Sequence, residues 1–195
     1  GMIAIGAGGL DIATALSSGK YYFKTPQVVN IHLEGKISPP ASAKDIILHI
    51  LKKSGVKGGV GKILEYTGPG SSSLSLTERA TICNMGAELG ATTSIFETDH
   101  KTLEYLDFQG RSGDYLEIKA DPDAHYDEKI VINLNDIVPM IAKPHSPDNV
   151  ESISGVCGVK VNQVAIGSCT NSSYEDLTRA ASILRNKKIS DHVSL

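Results

Sequence analysis

The strongest chemical signal in the sequence is a cysteine in the segment 166–173, which reads Ile-Gly-Ser-Cys-Thr-Asn-Ser-Ser. Cys169 follows the apolar run Val164–Ile166, which predicts a buried strand. It precedes a helix that Ser172 and Glu175 are predicted to cap. Open α/β sheets bind ligands outside the carboxyl ends of their strands. At that point unpaired N–H groups and the helix dipole favour a thiolate, which can serve as a metal ligand or a nucleophile.

Metal ligation by Cys169 is favoured over nucleophilic catalysis, because no histidine lies within this segment to act as a base. A buried structural cysteine is the alternative, since free cysteine is among the most buried residue types. Cys83 and Cys157 belong to no CxxC pair, and the six histidines show no metal-binding spacing. We therefore expect Cys83 and Cys157 to be structural.

A second candidate is a polar stripe on the helix that Ser75 and Glu78 are predicted to cap and that extends to about Leu89. The stripe has the helical spacing of residues on one side: Thr77, Thr81, Asn84 and Glu88. An apolar stripe runs beside it: Leu76, Ala80, Cys83 and Ala87. The polar stripe indicates either a wall facing a site, with Asn84 donating hydrogen bonds and Glu88 acting on a proton, or an ordinary half-exposed helix.

These residues would be positioned by alternating strands and helices, which predict a three-layer α/β fold with a mainly parallel sheet. Helices are expected to begin near Gly9, Ser42, Ser75, Leu103 and Ser172. The last of them should be buried through Leu177, Ala180, Ala181 and Leu184. Strands are expected at 28–33, 60–66, 92–96, 129–134 and 164–166. The glycine turn at 6–9 has no predicted strand before it, and three prolines predict a linker from 139 to about 154.

Composition narrows the function further. The chain of 195 residues has 22 acidic and 19 basic residues, for a net charge of -3, which argues against nucleic-acid binding. No apolar run reaches the roughly 18 residues of a membrane span, and no basic leader is present. Three separated cysteines fit a reducing compartment, so we expect a cytoplasmic location, or an organelle matrix.

Two long motifs resemble the aconitase family. The segment 166–177 is similar to the family's first iron–sulfur signature, and 84–94 is similar to a second motif at the expected distance upstream. Shorter similar segments are 8–11, 58–62, 65–70 and 144–148. The resemblance covers the whole chain and implies a partial fold of the aconitase iron–sulfur domain type.

The resemblance implies an aconitate hydratase, a hydro-lyase that interconverts citrate and isocitrate through cis-aconitate at a [4Fe-4S] cluster with one open iron. Cys169 matches the first of three cluster ligands. Glu88 matches the glutamate that hydrogen-bonds the hydroxyl or water on that iron, and Asn84 and Asn171 match positions near the cluster. Isopropylmalate or homoaconitate dehydratase is the nearest alternative. A non-catalytic scaffold and an RNA-binding domain are others, although the charge and few aromatics disfavour RNA.

Several parts of the family pattern do not occur in this sequence: the Asp-Ser-His-Thr loop, the later CxxC, the substrate-binding arginines and the serine base. The resemblance therefore implies an internal fragment. Residues 1–26 would end a first domain, 27–150 would form a complete second α/β domain, and 151–195 would be a linker and the start of a third. We expect the fragment alone to be inactive and to bind no cluster, since clusters are held by several thiolates. Its expected partners are a small tricarboxylic acid and the missing domains, with no membrane.

Overall fold

The fold was determined as a computed structural model that describes residues 2–4, 7–22 and 24–195. The strands are β1 (Met2–Ala4), β2 (Gln27–Glu34), β3 (Lys62–Thr67), β4 (Thr93–Phe96), β5 (Glu128–Asn133), β6 (Met140–Ala142) and β7 (Val150–Ser152). The helices are α1 (Gly9–Ser18), α2 (Ala43–Ser54), α3 (Leu76–Met85), α4 (His100–Phe108) and α5 (Tyr174–Leu184).

The main sheet has five strands in the order β1-β4-β3-β2-β5. The four strands from β4 to β5 are parallel, and β1 is added at the edge in antiparallel orientation. The predicted α/β class with a mainly parallel sheet is confirmed. The prediction that no strand precedes the glycine turn is wrong, because Met2–Ala4 pairs with β4. Gly6 of that turn lies outside the described residues.

The core forms where α2 and α3 meet the sheet. Val29, Ile31 and Leu33 of β2 lie on one face of the sheet and are buried in the core, and Asn30 on the other face is buried as well. The predicted helix start at Ser42 is confirmed: a capping box of Ser42 and Asp45 begins α2, and Gly55 ends it. Asp45 also accepts a hydrogen bond from the Met140 N–H at 2.7 Å, so the start of α2 holds the next part of the chain as well.

The proline-marked region is more ordered than the predicted linker. Strands β6 and β7 pair as an antiparallel two-stranded sheet within it. The Asp148 carboxylate accepts from the Val56 N–H at 3.1 Å, just beyond α2. These contacts fix the hairpin against α2, where it forms one wall of the cleft described below.

The last part of the chain differs most from expectation. Val164–Ile166 forms no buried strand: Val164 and Ile166 are exposed, and Gln163 makes a single parallel bridge to Ser194. Helix α5 exists, but none of its residues is buried, so the predicted buried stripe is wrong. Strands and amphipathic helices are buried only where a second layer covers them. In the described part of the chain nothing covers these two.

Candidate functional site

Helix α3 forms where it was predicted and carries the polar stripe as far as Asn84. Ser75 Oγ accepts from the Glu78 N–H at 3.2 Å, and the Glu78 carboxylate accepts from the Ser75 N–H at 2.8 Å, which confirms the capping box. Cys83 is buried in the core, as predicted. Ala87, however, is exposed, because the chain tightens into a 3₁₀ turn over Gly86–Leu89, whose period differs from that of the α-helix.

The polar stripe faces the segment that carries Cys169. Asn84 Nδ2 donates to the Cys169 carbonyl oxygen at 3.3 Å. Thr81 Oγ1 donates to the Thr170 carbonyl oxygen, also at 3.3 Å. Thr77 Oγ1, one helical turn earlier, donates to the Glu175 carboxylate. These contacts are those of a polar wall against a neighbouring segment rather than those of a solvated helix face.

Cys169 is exposed and not enclosed in an apolar core. Its Sγ lies 3.9 Å from Asn84 Oδ1 and 3.9 Å from Thr170 Oγ1. Ser168, immediately before it, has a φ of 75°, in the left-handed region that residues other than glycine seldom occupy. Backbone strain of this kind is concentrated at functional sites. The thiol is therefore presented outward from a constrained turn.

The helix after Cys169 begins later than predicted. Ser173 is its N-cap, and the partner in the capping box is Asp176, not Glu175. Two serines and two carboxylates stand in adjacent positions there, so both pairs satisfy the same spacing. The one-residue shift leaves the Glu175 side chain free of its own helix and available to α3.

The predicted cofactor residue Asn171 is half-buried in a narrow groove that Ser42, Thr81 and Arg179 also line. Its Oδ1 atom is buried and has no hydrogen-bond partner among the described residues. A buried oxygen without a partner is costly, since it has lost water and gained nothing in exchange. Asn171 therefore has an unused acceptor close to the Cys169 segment.

The predicted catalytic residue Glu88 is exposed and lies on the wall of an open cleft of about 510 Å³. Ser168 and Thr170, on either side of Cys169, line the same cleft. Lys44 is the cation among its lining residues and has no ion pair within the described part of the chain. The other lining residues are apolar: Leu48, Met85, Met140, Ile141, Ala142 and Pro147.

The structure thus brings Asn84 and Cys169 into contact and places Glu88 on a cleft bordered by the neighbours of Cys169. Lys44 was not predicted, because a lysine in the first turn of a capped helix looks like an ordinary solvated residue. Within residues 2–4, 7–22 and 24–195 no group of three or more His, Cys, Asp or Glu side chains could hold a metal ion.

The other two cysteines differ in how far they are buried. Burial raises the pKa of Cys83 to about 12, although the nearby Arg79 charge acts in the opposite direction. Cys83 is therefore a protonated core residue at neutral pH. Cys157 is exposed, and its Sγ lies 3.5 Å from the Ile153 carbonyl oxygen.

Comparison with known proteins agrees with the fold and the motifs. The Aconitase family (aconitate hydratase) matches residues 1–159 and 155–195. This chain belongs to the aconitase family.

Three relatives illustrate the match. The 3-isopropylmalate dehydratase large subunit 2 of Archaeoglobus fulgidus is 42% identical over 100% of this chain and 47% of its own length. The 2,3-dimethylmalate dehydratase large subunit of Eubacterium barkeri is 40% identical over 100% of this chain and 46% of its own. The mitochondrial aconitate hydratase of Schizosaccharomyces pombe is 46% identical over 94% of this chain and 25% of its own. The chain thus spans about half the length of the dehydratase subunits and a quarter of the aconitate hydratase.

A search of the described helices for membrane spans gives a negative result: none combines the length and the apolar character needed to cross a bilayer.

Proposed function

We propose that this chain is part of the large subunit of a hydro-lyase of the 3-isopropylmalate dehydratase type. Such an enzyme would remove and re-add water on an alkyl-branched malate. The observation that carries the proposal is the contact between the polar stripe of α3 and the exposed Cys169 segment, made through Asn84 and Thr81.

Cys169 fits one corner of a [4Fe-4S] cluster. Its sulfur is exposed, and the neighbouring groups on Asn84 and Thr170 are polar. Because the described residues hold no further set of metal ligands, the remaining thiolates would come from a longer chain. When bound, the cluster supplies an open iron that acts as a Lewis acid on a substrate oxygen. The buried Oδ1 of Asn171 has no partner among the described residues, so it would accept from a donor that enters its groove with the cluster or the substrate.

Glu88 would handle the proton in this reaction. Its carboxylate is exposed on the cleft and has no ion pair within the described residues, so it can hydrogen-bond the hydroxyl group that leaves or returns as water. Lys44 would attract a substrate carboxylate into the same cleft. These two roles need opposite charges on one cleft, which is what its lining provides.

The substrate class follows from the apolar lining and from the relatives. Met140, Ile141 and Ala142 offer surface to an alkyl branch, whereas a third carboxylate would need another cation there. Relatives from several bacteria are also named as 3-isopropylmalate dehydratase large subunits. They support this alternative better than aconitate hydratase, the main expectation from the motifs. Aconitate hydratase is the second candidate, favoured by the S. pombe relative.

The test compares this chain with a longer chain that also supplies the CxxC, the Asp-Ser-His-Thr loop, the arginines and the serine base of the family pattern, both treated with iron and sulfide under anaerobic conditions. We expect visible cluster absorbance and hydration activity only in the longer chain, with 3-isopropylmalate turned over faster than 2,3-dimethylmalate and citrate. In it, Cys169→Ser should abolish both signals. Glu88→Gln should keep the cluster and lower kcat by about 10²–10⁴-fold.

Cys157→Ser is the matched control, since this cysteine is also exposed but lies outside the α3 contact. The proposal fails if the Cys169→Ser chain assembles a normal cluster. A preference for citrate over both branched malates would replace the substrate class with that of aconitate hydratase.

A further inference from the structure

We propose that Glu175 is a positioning residue for Cys169. Its carboxylate joins the N-terminus of α5 to the N-terminus of α3 and so holds the segment 169–173, which directly precedes α5, in place. The functional meaning of this brace rests on the proposed role of Cys169 as a cluster ligand. The brace itself is a feature of the chain and can be tested without a cluster.

The Glu175 carboxylate has two hydroxyl donors on α3. Its Oε2 accepts from Ser75 Oγ at 3.2 Å and from Thr77 Oγ1 in a shorter contact. Ser75 is the N-cap of α3 and Thr77 lies in its first turn, so the carboxylate stands at the positive end of the α3 dipole. Negative charge is stabilised at that end, and hydrogen bonds to an ionised acceptor are the stronger kind.

Glu175 can reach α3 because its side chain is not used to cap its own helix. Asp176 accepts from the Ser173 N–H at 3.2 Å and from Ser173 Oγ at 2.7 Å. With these bonds made, the cap of α5 is complete without Glu175. One acidic residue thus begins α5, and its neighbour fastens α5 to another helix.

The brace is the end of a ladder of polar contacts between α3 and the segment 169–175. The other two rungs run from Thr81 to the Thr170 carbonyl and from Asn84 to the Cys169 carbonyl. Helix α5 buries no residue, so apolar packing does little to hold this segment. The polar rungs must therefore set where Cys169 lies relative to Asn84.

The brace can be measured on this chain by NMR and hydrogen exchange. The Asn84 side-chain amide resonance reports its bond to the Cys169 carbonyl, and exchange of the 169–173 amides reports opening of the segment. We expect Glu175→Ala to shift the Asn84 resonance and to speed exchange of these amides by about 3–10-fold, in line with a lost hydrogen bond of ordinary strength. Glu175→Gln should restore part of the protection, since its amide oxygen still accepts.

Thr77→Val tests the brace from the α3 side and leaves α5 unaltered. It should reproduce the Glu175→Ala effect, and the double variant should add little to either single one. Glu104→Ala removes a carboxylate from the exposed face of α4 and should change neither readout. An unchanged Asn84 resonance and unchanged exchange at 169–173 in both Glu175→Ala and Thr77→Val would overturn the proposal.

The outcome is separable from that of the proposed function. A brace that fails these measurements leaves Cys169 and Glu88 open to the cluster and activity assays of the longer chain. Conversely, a longer chain without cluster or activity leaves the NMR result standing as a structural tie with no catalytic meaning.

Discussion

The Asn84 side-chain amide donates to the carbonyl oxygen of Cys169 across 85 positions of sequence, with 3.3 Å between nitrogen and oxygen. The same side chain presents Oδ1 at 3.9 Å from the Cys169 sulfur. One residue of α3 thus contacts both the backbone and the thiol of the cysteine segment. An asparagine at this point can limit the motion of a segment whose following helix, α5, buries none of its residues among the described part of the chain.

We predict that Asn84→Ala will raise the rate of alkylation of Cys169 by about 2–5-fold, because the segment loses a hydrogen bond of modest net strength. Mass spectrometry after brief treatment with iodoacetamide measures the rate, with Cys157 as an internal reference of similar exposure. Asn84→Leu is close to asparagine in size, carries no charge and loses the donor, so it should behave like Asn84→Ala. Unequal rates in these two variants would mean that the donor is not what restrains the segment.

The three cysteines should react in two groups. Cys157 and Cys169 are exposed, whereas Cys83 is buried and burial raises its pKa to about 12, so little of it is thiolate at neutral pH. A thiol reagent such as DTNB should therefore titrate two thiols in the native chain and the third only after unfolding. Prompt reaction of three thiols in the native state would contradict the placement of Cys83 in the core.

The Arg79–Asp99 pair should account for a large share of the stability of the α3–α4 region. The Arg79 side chain is 1% exposed and is paired with the Asp99 carboxylate. The Asp99 carboxylate is 20% exposed, so water can partly compensate it when Arg79 is removed, and we expect Arg79→Met to lower the free energy of unfolding by about 2–3 kcal/mol. Urea unfolding measures this, and Arg111→Met, which breaks an exposed pair with Asp114, should cost less than about 1 kcal/mol.

The same pair predicts a pH dependence. Burial alone would raise the pKa of Asp99, but the hydrogen bond and the charge of Arg79 together hold that pKa below its ordinary value. The stabilisation is thus complete above the ordinary pKa of 3.8 and is lost as pH falls from there through the folded-state pKa. Unfolding at pH 6 and pH 3 should show this loss, and Asp99→Asn should flatten it. An equal acid loss in Asp99→Asn would assign the effect to other carboxylates.

Gly86 should be intolerant of a side chain. A Cβ at this position would lie 2.4 Å from Ser94 Oγ, and both residues are buried. We expect Gly86→Ala to lower the free energy of unfolding by about 1–3 kcal/mol, the usual cost of overpacking. Gly9→Ala in α1, where a Cβ would meet no atom of the described residues within 4 Å, should be neutral or slightly stabilising. Similar stabilities of the two variants would contradict the close approach of the 3₁₀ turn at Gly86 to β4.

Local signals in the sequence predicted much of the fold. The Ser42–Asp45 and Ser75–Glu78 boxes begin α2 and α3 where expected, because hydrogen bonds between residues three apart need no distant partner. Asn84 contacts the Cys169 segment and Glu88 lines the cleft, so both lie on the side of the chain that the predicted polar stripe indicated. Their roles in binding and catalysis stay predictions, as do the domain boundaries at 26 and 150.

Features that depend on distant partners could not be predicted. The run Val164–Ile166 has the composition of a strand, but a strand also needs neighbours, and Gln163 finds one bridge at Ser194. The β6–β7 hairpin was hidden by prolines that break periodicity without preventing short strands at an edge. Glu175 satisfied a local rule that Asp176 satisfied equally well, and only the position of α3 separates the two.

Helix α3 faces two ways within three residues, with Ile82 and Cys83 in the core and Asn84 against the cysteine segment. Successive residues of an α-helix are rotated by about 100° around its axis. One amino acid inserted near Thr81 would therefore rotate the residues after it by about 100° relative to the residues before it. Asn84 would then move away from the cysteine segment, or the thiol of Cys83 would move out of the core. The number of residues in this helix, and not only their chemistry, therefore determines how the hydrophobic core and the Cys169 segment are aligned.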